Sequence, residues 1–87
     1  MYSDEYSDAI IKKLVKLKKK DYIEFTKVRN KIENILQNPE HSYKFLHHNM
    51  KSLNRVHIGH FVLVFKINHE TKIVSFEDYD HHDKIYL

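Results

Sequence analysis

The sequence predicts an α+β fold in which an N-terminal helical hairpin packs on a small antiparallel sheet of three to four strands. Apolar residues recur at helical spacing as far as residue 36, and from Leu53 onward the period changes to two. Runs of helix followed by runs of strand are typical of the α+β class. With 87 residues, the chain is expected to form one domain, residues 1–87, around one core.

The first predicted helix is amphipathic and begins after a serine, Ser3 or Ser7. Lysines fill the face opposite its apolar residues, and Lys18, Lys19 and Lys20 complement the negative end of its dipole. The apolar stripe consists of Ile10, Ile11, Leu14 and Leu17.

A second helix is predicted to begin at Asp21, because Glu24 follows three residues later as in a capping box. It ends at Asn38-Pro39, since proline cannot continue a helix. Its stripe consists of Phe25, Val28, Ile32, Ile35 and Leu36. Two amphipathic helices joined by a short turn indicate an antiparallel hairpin.

The strands are predicted from side chains that alternate between the two faces of the chain. In residues 53–58, Val56 and Ile58 face one way and Arg55 and His57 the other. Gly59-His60 is interpreted as a turn, residues 61–67 as a central strand that is apolar on both faces, and residues 68–71 as a hairpin loop. Residues 72–79 are predicted to form a further strand, and residues 84–87 a short terminal strand at an edge. One face of this sheet must accept the helices, which leaves the other face for a ligand.

Composition limits the functions to be considered. The chain contains no cysteine, which excludes disulfides, thiol catalysis and Cys-ligated zinc. No apolar run approaches the ~18 residues of a membrane span, and residues 1–8 do not resemble a signal peptide, so a cytoplasmic location without membrane contact is expected. The net charge of +3 slightly favours a polyanionic partner. Eight histidines add groups that bind phosphate, shuttle protons or ligate metal.

The candidate site lies on the predicted open face. Four groups are expected to converge there, namely Arg55, His57, His82 and Tyr86. Basic residues expected to bind RNA around them are Lys51, His60, His81 and Lys84. The run of residues 80–83, Asp-His-His-Asp, contains side chains that can ligate a metal. Neighbouring residues of a strand point to opposite faces, however, so neither a metal nor another cofactor is expected.

The segment of residues 55–61, Arg-Val-His-Ile-Gly-His-Phe, runs into an apolar strand, and residues 80–86 end in Ile-Tyr. Together with the preceding helices, these motifs resemble the RelE/ParE toxin superfamily, and in particular RelE-type mRNA interferases, from about Ser7 to Tyr86. The resemblance implies a RelE-like fold and a ribosome-dependent endoribonuclease that needs no metal, in which the RNA 2′-hydroxyl attacks the adjacent phosphate.

The resemblance also implies roles for individual residues. Arg55 would contact phosphate, and His57 would act as general base or as a further phosphate ligand. His82 would serve as acid or base, and Tyr86 would stack on a base or take part in proton transfer. Val62 stands where many members of the family have an arginine. This departure implies that His60 or Lys51 replaces it, that activity is weak, or that the target differs.

Other interpretations stay open at this point. The ParE branch of the superfamily binds DNA gyrase without cutting RNA, and a third option is a non-catalytic RNA-binding module. Arg55 could also be an ordinary residue of a solvated strand, and Tyr86 a structural aromatic at the edge of the core. His47-His48 is interpreted as part of a loop before the sheet, with a role in surface or packing alone. For a toxin, the expected partners are a RelB-like antitoxin, forming a hetero-oligomer, and the ribosome with its mRNA.

Overall fold

The computed structural model describes residues 1–47 and 50–86, with the backbone alone for residues 50 and 51. Its elements are, in chain order, β1 (Ser3–Tyr6), α1 (Asp8–Lys20), α2 (Tyr22–Gln37), β2 (Lys44–His47), β3 (Met50–Ile58), β4 (Phe61–Asn68), β5 (Ile73–His81) and α3 (His82–Ile85). The described strands form one sheet in the order β1-β5-β4-β3-β2. The α+β class is confirmed.

Both predicted helices are confirmed, and their caps explain where they begin. Ser7 is the cap of α1, because its Oγ accepts a hydrogen bond from the Ile10 N–H at 3.1 Å. Asp21 caps α2 by accepting from the Glu24 N–H, also at 3.1 Å. The Glu24 side chain does not close a capping box with Asp21; it accepts a hydrogen bond from the Tyr79 hydroxyl at 2.7 Å and so ties α2 to β5.

The core lies between the helical hairpin and one face of the sheet. Its buried members are Ile10, Val28, Ile32, Ile35, Ile58, Leu63, Phe65, Val74, Phe76 and Tyr79. Most residues of the two predicted stripes lie in or against this core, but Phe25 is half-buried outside it. Ile11 is 46% exposed because it lies about 100° around α1 from Ile10. Within the described residues, no helix has the length and hydrophobicity needed to cross a membrane.

The prediction of a purely antiparallel sheet of three to four strands is wrong. The described part of the sheet has five strands and is mixed, because β1 pairs in parallel with β5 while the other pairs are antiparallel. The two strands that were missed are β1 and β2, both four residues long. Strands this short carry almost no periodic signal.

The predicted terminal strand at residues 84–87 is also wrong. The β5 strand continues to His81, and the chain then turns into the short helix α3, with Leu87 outside the described residues. The side chain of His81 caps this turn, since its Nδ1 accepts a hydrogen bond from the Asp83 N–H at 3.2 Å. The turn carries the last residues of the chain back over the ends of β4 and β5.

Candidate functional site

The side chains of the open face are set by strand register. His57 on β3 is paired with Val62 on β4, which is paired with Asp80 on β5; Arg55 is likewise in line with Val64 and Asp78. Directly opposed residues project to the same face of a sheet. Because Leu63 and Phe65 point into the core, Arg55 and His57 lie on the face away from α1 and α2, as predicted.

The α3 helix completes this face. The His82 N–H donates a hydrogen bond to the His60 carbonyl at 2.8 Å, which fixes α3 against the turn between β3 and β4. Beneath α3 lies a cleft of about 240 Å³. The cleft is lined by Leu46, Leu53, Val64, Glu77, Asp78, Asp80, Lys84 and Ile85. The α3 helix therefore covers part of the open face, above a cleft with both apolar and charged side chains.

The four predicted catalytic residues meet in one row, which we call the histidine cluster: Arg55, His57, His82 and Tyr86. Arg55 Nη1 lies 3.4 Å from His57 Nδ1. The rings of His57 and His82 have centroids 6.0 Å apart, and those of His82 and Tyr86 are 4.8 Å apart. The row joins β3 to α3 across the end of the sheet.

The four predicted RNA-binding residues are placed less uniformly. His60 and His81 stack on each other, with centroids 6.2 Å apart, and form a pair beside the histidine cluster rather than within it. Lys84 lies on α3 and lines the cleft. Lys51 belongs to β3, and its side chain lies outside the described residues.

Two residues of the site were missed by sequence reasoning, and both lie on β2. Lys44 is directly opposite Arg55, so its side chain projects to the face of the histidine cluster. His47, interpreted from the sequence as loop surface, ends β2 and packs edge-on against Tyr86 with centroids 5.8 Å apart. Local periodicity gave no signal for either residue, because β2 is only four residues long.

The charges around His57 favour its neutral form. Desolvation lowers the pKa of His57 below its ordinary value of 6.5, and the positive charges of Arg55, His82 and Lys44 lower it further. Since arginine can only donate, Arg55 assigns His57 Nδ1 as the unprotonated, accepting nitrogen. The cluster thus places the accepting nitrogen of a neutral imidazole directly beside a guanidinium.

Two carboxylates on the same face are held by α1. Lys13 Nζ lies 2.6 Å from Asp78 Oδ1 and 2.9 Å from Asp80 Oδ2. Although desolvation opposes ionisation, the hydrogen bonds from Lys13 and the His81 N–H keep the pKa of Asp80 below its ordinary value. Lys13 thus partly offsets the negative charge on this face, and an anion approaching Arg55 meets less repulsion than it would without that lysine.

The missing family arginine has a structural counterpart. Val62 is fully buried between His57 and Asp80, so this position presents no cation to the open face. His60 stacks on His81 beside the histidine cluster, and the side chain of Lys51 lies outside the described residues. Lys44 is a basic residue that lies directly opposite Arg55 on the same face. Among the described residues, no group of three or more His, Asp or Glu side chains is arranged to hold a metal ion.

Comparison with known proteins identifies the family, although no family model matches the chain. An uncharacterised protein of Methanosarcina mazei is 47% identical over 87 residues, covering 99% of this chain and 100% of that protein. A protein of Methanocaldococcus jannaschii named "Putative toxin RelE4" is 45% identical over 87 residues, covering 99% of this chain and 92% of the relative. This chain belongs to the RelE toxin family. The RelE-type toxin also shares its fold with solved structures of lower identity.

The isolated RelE toxin of Escherichia coli superposes with a TM-score of 0.78 at 15% identity, over 93% of this chain and 84% of that one. The toxin–antitoxin complex RelBE2 of Mycobacterium tuberculosis gives 0.74 at 18% identity, over 92% and 96%. The DinJ–YafQ complex of E. coli gives 0.73 at 21% identity over the full length of both chains. At these low sequence identities, the three structures show that the fold is shared.

Proposed function

We propose that this RelE-type toxin is an endoribonuclease that cuts mRNA on the ribosome, and that a RelB-like antitoxin neutralises it. The observation that carries the proposal is the histidine cluster, in which a guanidinium, two imidazoles and a phenol lie next to one another in one row. Such a set supplies phosphate binding and two proton-transfer groups within the span of one phosphodiester.

The reaction begins at Arg55, whose guanidinium holds the scissile phosphate through paired hydrogen bonds. Its Nε already donates to the Phe45 carbonyl at 3.1 Å, which fixes the side chain. When the phosphate binds, Nη1 turns from His57 Nδ1 to the phosphate and joins Nη2 there, which frees the His57 lone pair. Lys44, on the neighbouring strand, adds a second positive charge at the developing phosphorane. These two residues stabilise the charge that the transition state develops.

Proton transfer falls to the two histidines. His57 Nδ1 takes the proton of the 2′-hydroxyl while the 2′-oxygen bonds to phosphorus, and His82 gives a proton to the departing 5′-oxygen. The products are a 2′,3′-cyclic phosphate and a 5′-hydroxyl end. Tyr86 and His47 offer ring faces on which a neighbouring base can stack. Every group comes from the chain itself, so the proposal requires no metal.

The proposed antitoxin partner is supported by solved complexes of proteins with this fold. Two of the similar structures are toxin–antitoxin complexes, RelBE2 and DinJ–YafQ. The chain carries a net charge of +3, and its α1 helix exposes lysines beside the apolar side chains of Ile11 and Val15. An amphipathic segment with acidic residues complements such a surface.

The first prediction tests the proposed reaction. A purified toxin added to a translating extract is expected to shorten mRNA and to leave 2′,3′-cyclic phosphate and 5′-hydroxyl ends, which mapping of RNA ends measures. His82→Ala is expected to lose this cleavage, whereas His69→Ala, at the opposite end of β4, is expected to keep it. Intact mRNA with translating ribosomes would contradict the proposal.

The remaining candidate functions are separated by two further measurements on the same preparation. The buried Val62 in place of an arginine is the feature that favours a ParE-like gyrase inhibitor. Inhibition of supercoiling together with intact RNA would select that function. Tight, salt-dependent RNA binding without cleavage would instead select a non-catalytic RNA-binding module.

A second prediction concerns pH. Cleavage needs neutral His57, so the acid limb of its pH–rate profile is expected to lie below pH 6.5, at the lowered pKa of His57. Lys44→Gln removes a positive charge that lowers this pKa, so the pKa rises and the acid limb of the pH–rate profile moves to higher pH. Lys12→Gln, on the exposed side of α1, should leave the limb in place. An unmoved limb in Lys44→Gln would show that Lys44 does not act on His57.

A further inference from the structure

A second polar groove opens directly beside the histidine cluster. It encloses about 440 Å³ between the second helix and the end of β3. It is lined by Lys27, Asn30, Lys31, Asn34, His57 and Ile58. His57 belongs both to this groove and to the histidine cluster, so the two sites are continuous.

The groove is open because β2 begins at Lys44 and does not cover the last residues of β3. The last pair between β2 and β3 joins Lys44 to Arg55, which leaves the edge of β3 at His57 and Ile58 without a neighbouring strand. The α2 helix runs past this open edge and faces it with side chains at positions i, i+3, i+4 and i+7. An RNA strand bound at Arg55 can therefore pass over the edge of the sheet toward α2.

The α2 side of the groove has the chemistry of a nucleic-acid contact. Lys27 and Lys31 contribute two ammonium groups, and Asn30 and Asn34 contribute amides that both donate and accept. Neither lysine takes part in an ion pair within residues 1–47 and 50–86. Lys13, by contrast, is engaged by Asp78 and Asp80. The positive charge of the groove is therefore available to an external anion.

We propose that this α2 groove is a second RNA subsite, which binds the phosphates of the nucleotides next to the scissile bond in a single-stranded polyribonucleotide. Lys27 and Lys31 contact phosphates, and the two asparagines contact a 2′-hydroxyl or a base edge. The subsite rests on the proposed function, because it extends the strand bound at the histidine cluster. It makes the toxin recognise a run of several nucleotides rather than one phosphodiester.

The test measures binding of 2′-O-methyl RNA, which cannot be cleaved, as a function of salt. A dinucleotide with one phosphodiester reaches the histidine cluster alone, whereas a hexanucleotide also reaches the groove. For the hexanucleotide, Lys27→Ala/Lys31→Ala is expected to lower the slope of log affinity against log salt by about 1.4, at ~0.7 for each of two phosphates. The affinity difference between wild type and variant should then widen about 25-fold between 1 M and 0.1 M salt.

Three controls make the result specific. Lys12→Ala/Lys16→Ala removes two lysines at the same helical spacing on α1 and should leave the slope unchanged. Lys27→Arg/Lys31→Arg keeps the charge and should restore it. Binding of the dinucleotide should not differ between wild type and the double alanine variant.

An unchanged slope in the double alanine variant, or an equal loss in the α1 control, would overturn the second subsite. Either result would leave the cleavage assay untouched. Conversely, a length-dependent slope with no RNA cutting would support the subsite while the proposed nuclease activity fails.

Discussion

Replacing His57 by alanine is expected to slow RNA cleavage by about 10²- to 10⁴-fold, the range that a positioned general base contributes. His57 is the imidazole whose charge state the site controls, because Arg55, His82 and Lys44 all disfavour its protonated form. It also has its accepting nitrogen 3.4 Å from the group that would hold the phosphate. Alanine removes this acceptor and leaves Arg55 bonded to Phe45.

The measurement is a single-turnover cleavage rate at saturating toxin, compared with the binding of uncleavable RNA. Binding is expected to change little, since Arg55 and Lys44 keep the phosphate contacts. His69→Ala is the matched control, an exposed histidine in the turn between β4 and β5. Because His57 and His82 act in one step, His57→Ala/His82→Ala should cost far less than the product of the single losses. A wild-type rate in His57→Ala would remove it from the proton-transfer path.

The convergence of Arg55, His57, His82 and Tyr86 could be anticipated only in part from the sequence. Alternation alone placed Arg55 and His57 on one face, and the core confirmed that face. The position of His82 and Tyr86 depends on how β5 ends, and four residues are too few to distinguish a strand from a helical turn by period. The expected terminal strand became a turn because the His81 side chain caps it.

The missed strands have a related cause. The β1 strand is polar and lies at an edge, and its partner on β5 is about 70 residues away in sequence, so its pairing leaves no local pattern. The β2 strand is short and irregular in register between Phe45 and His47. Lys44 and His47 were consequently overlooked, although one lies opposite Arg55 and the other packs on Tyr86. Local periodicity in the sequence predicts which side chains share a face of a strand. A site at the end of a sheet also depends on the register between strands, which local periodicity does not show.

The α2 groove shows the same dependence. Lys27 and Lys31 stand on the polar side of an amphipathic helix, where a solvated lysine face is the ordinary expectation. They lie beside the proposed reaction centre only because β2 begins at Lys44, opposite Arg55, and leaves His57 at an open edge of β3. The short length of one edge strand thus links the proposed reaction centre to a surface on the helical layer.

The largest expected effect on stability is at Phe65. This side chain is fully buried in β4, with ring centroids 5.2 Å from Tyr43 and 6.1 Å from Phe76. Phe65→Ala is expected to lower the free energy of unfolding by about 3 to 5 kcal/mol, through lost burial and an unfilled cavity. Small proteins are stable by only about 5 to 15 kcal/mol in total, so the variant should be partly unfolded at physiological temperature.

Phe45→Ala is the matched control, because it makes the same substitution on β2 at a ring that is 42% exposed. Its loss should be much smaller, since its ring is already in contact with water. Urea denaturation of the three proteins measures both effects, and a lower midpoint with an unchanged slope would report a loss of stability alone. Equal midpoints for Phe65→Ala and Phe45→Ala would contradict a core centred on β4. Because β4 separates β3, with Arg55 and His57, from β5, which leads to His82, loosening it should also disperse the histidine cluster.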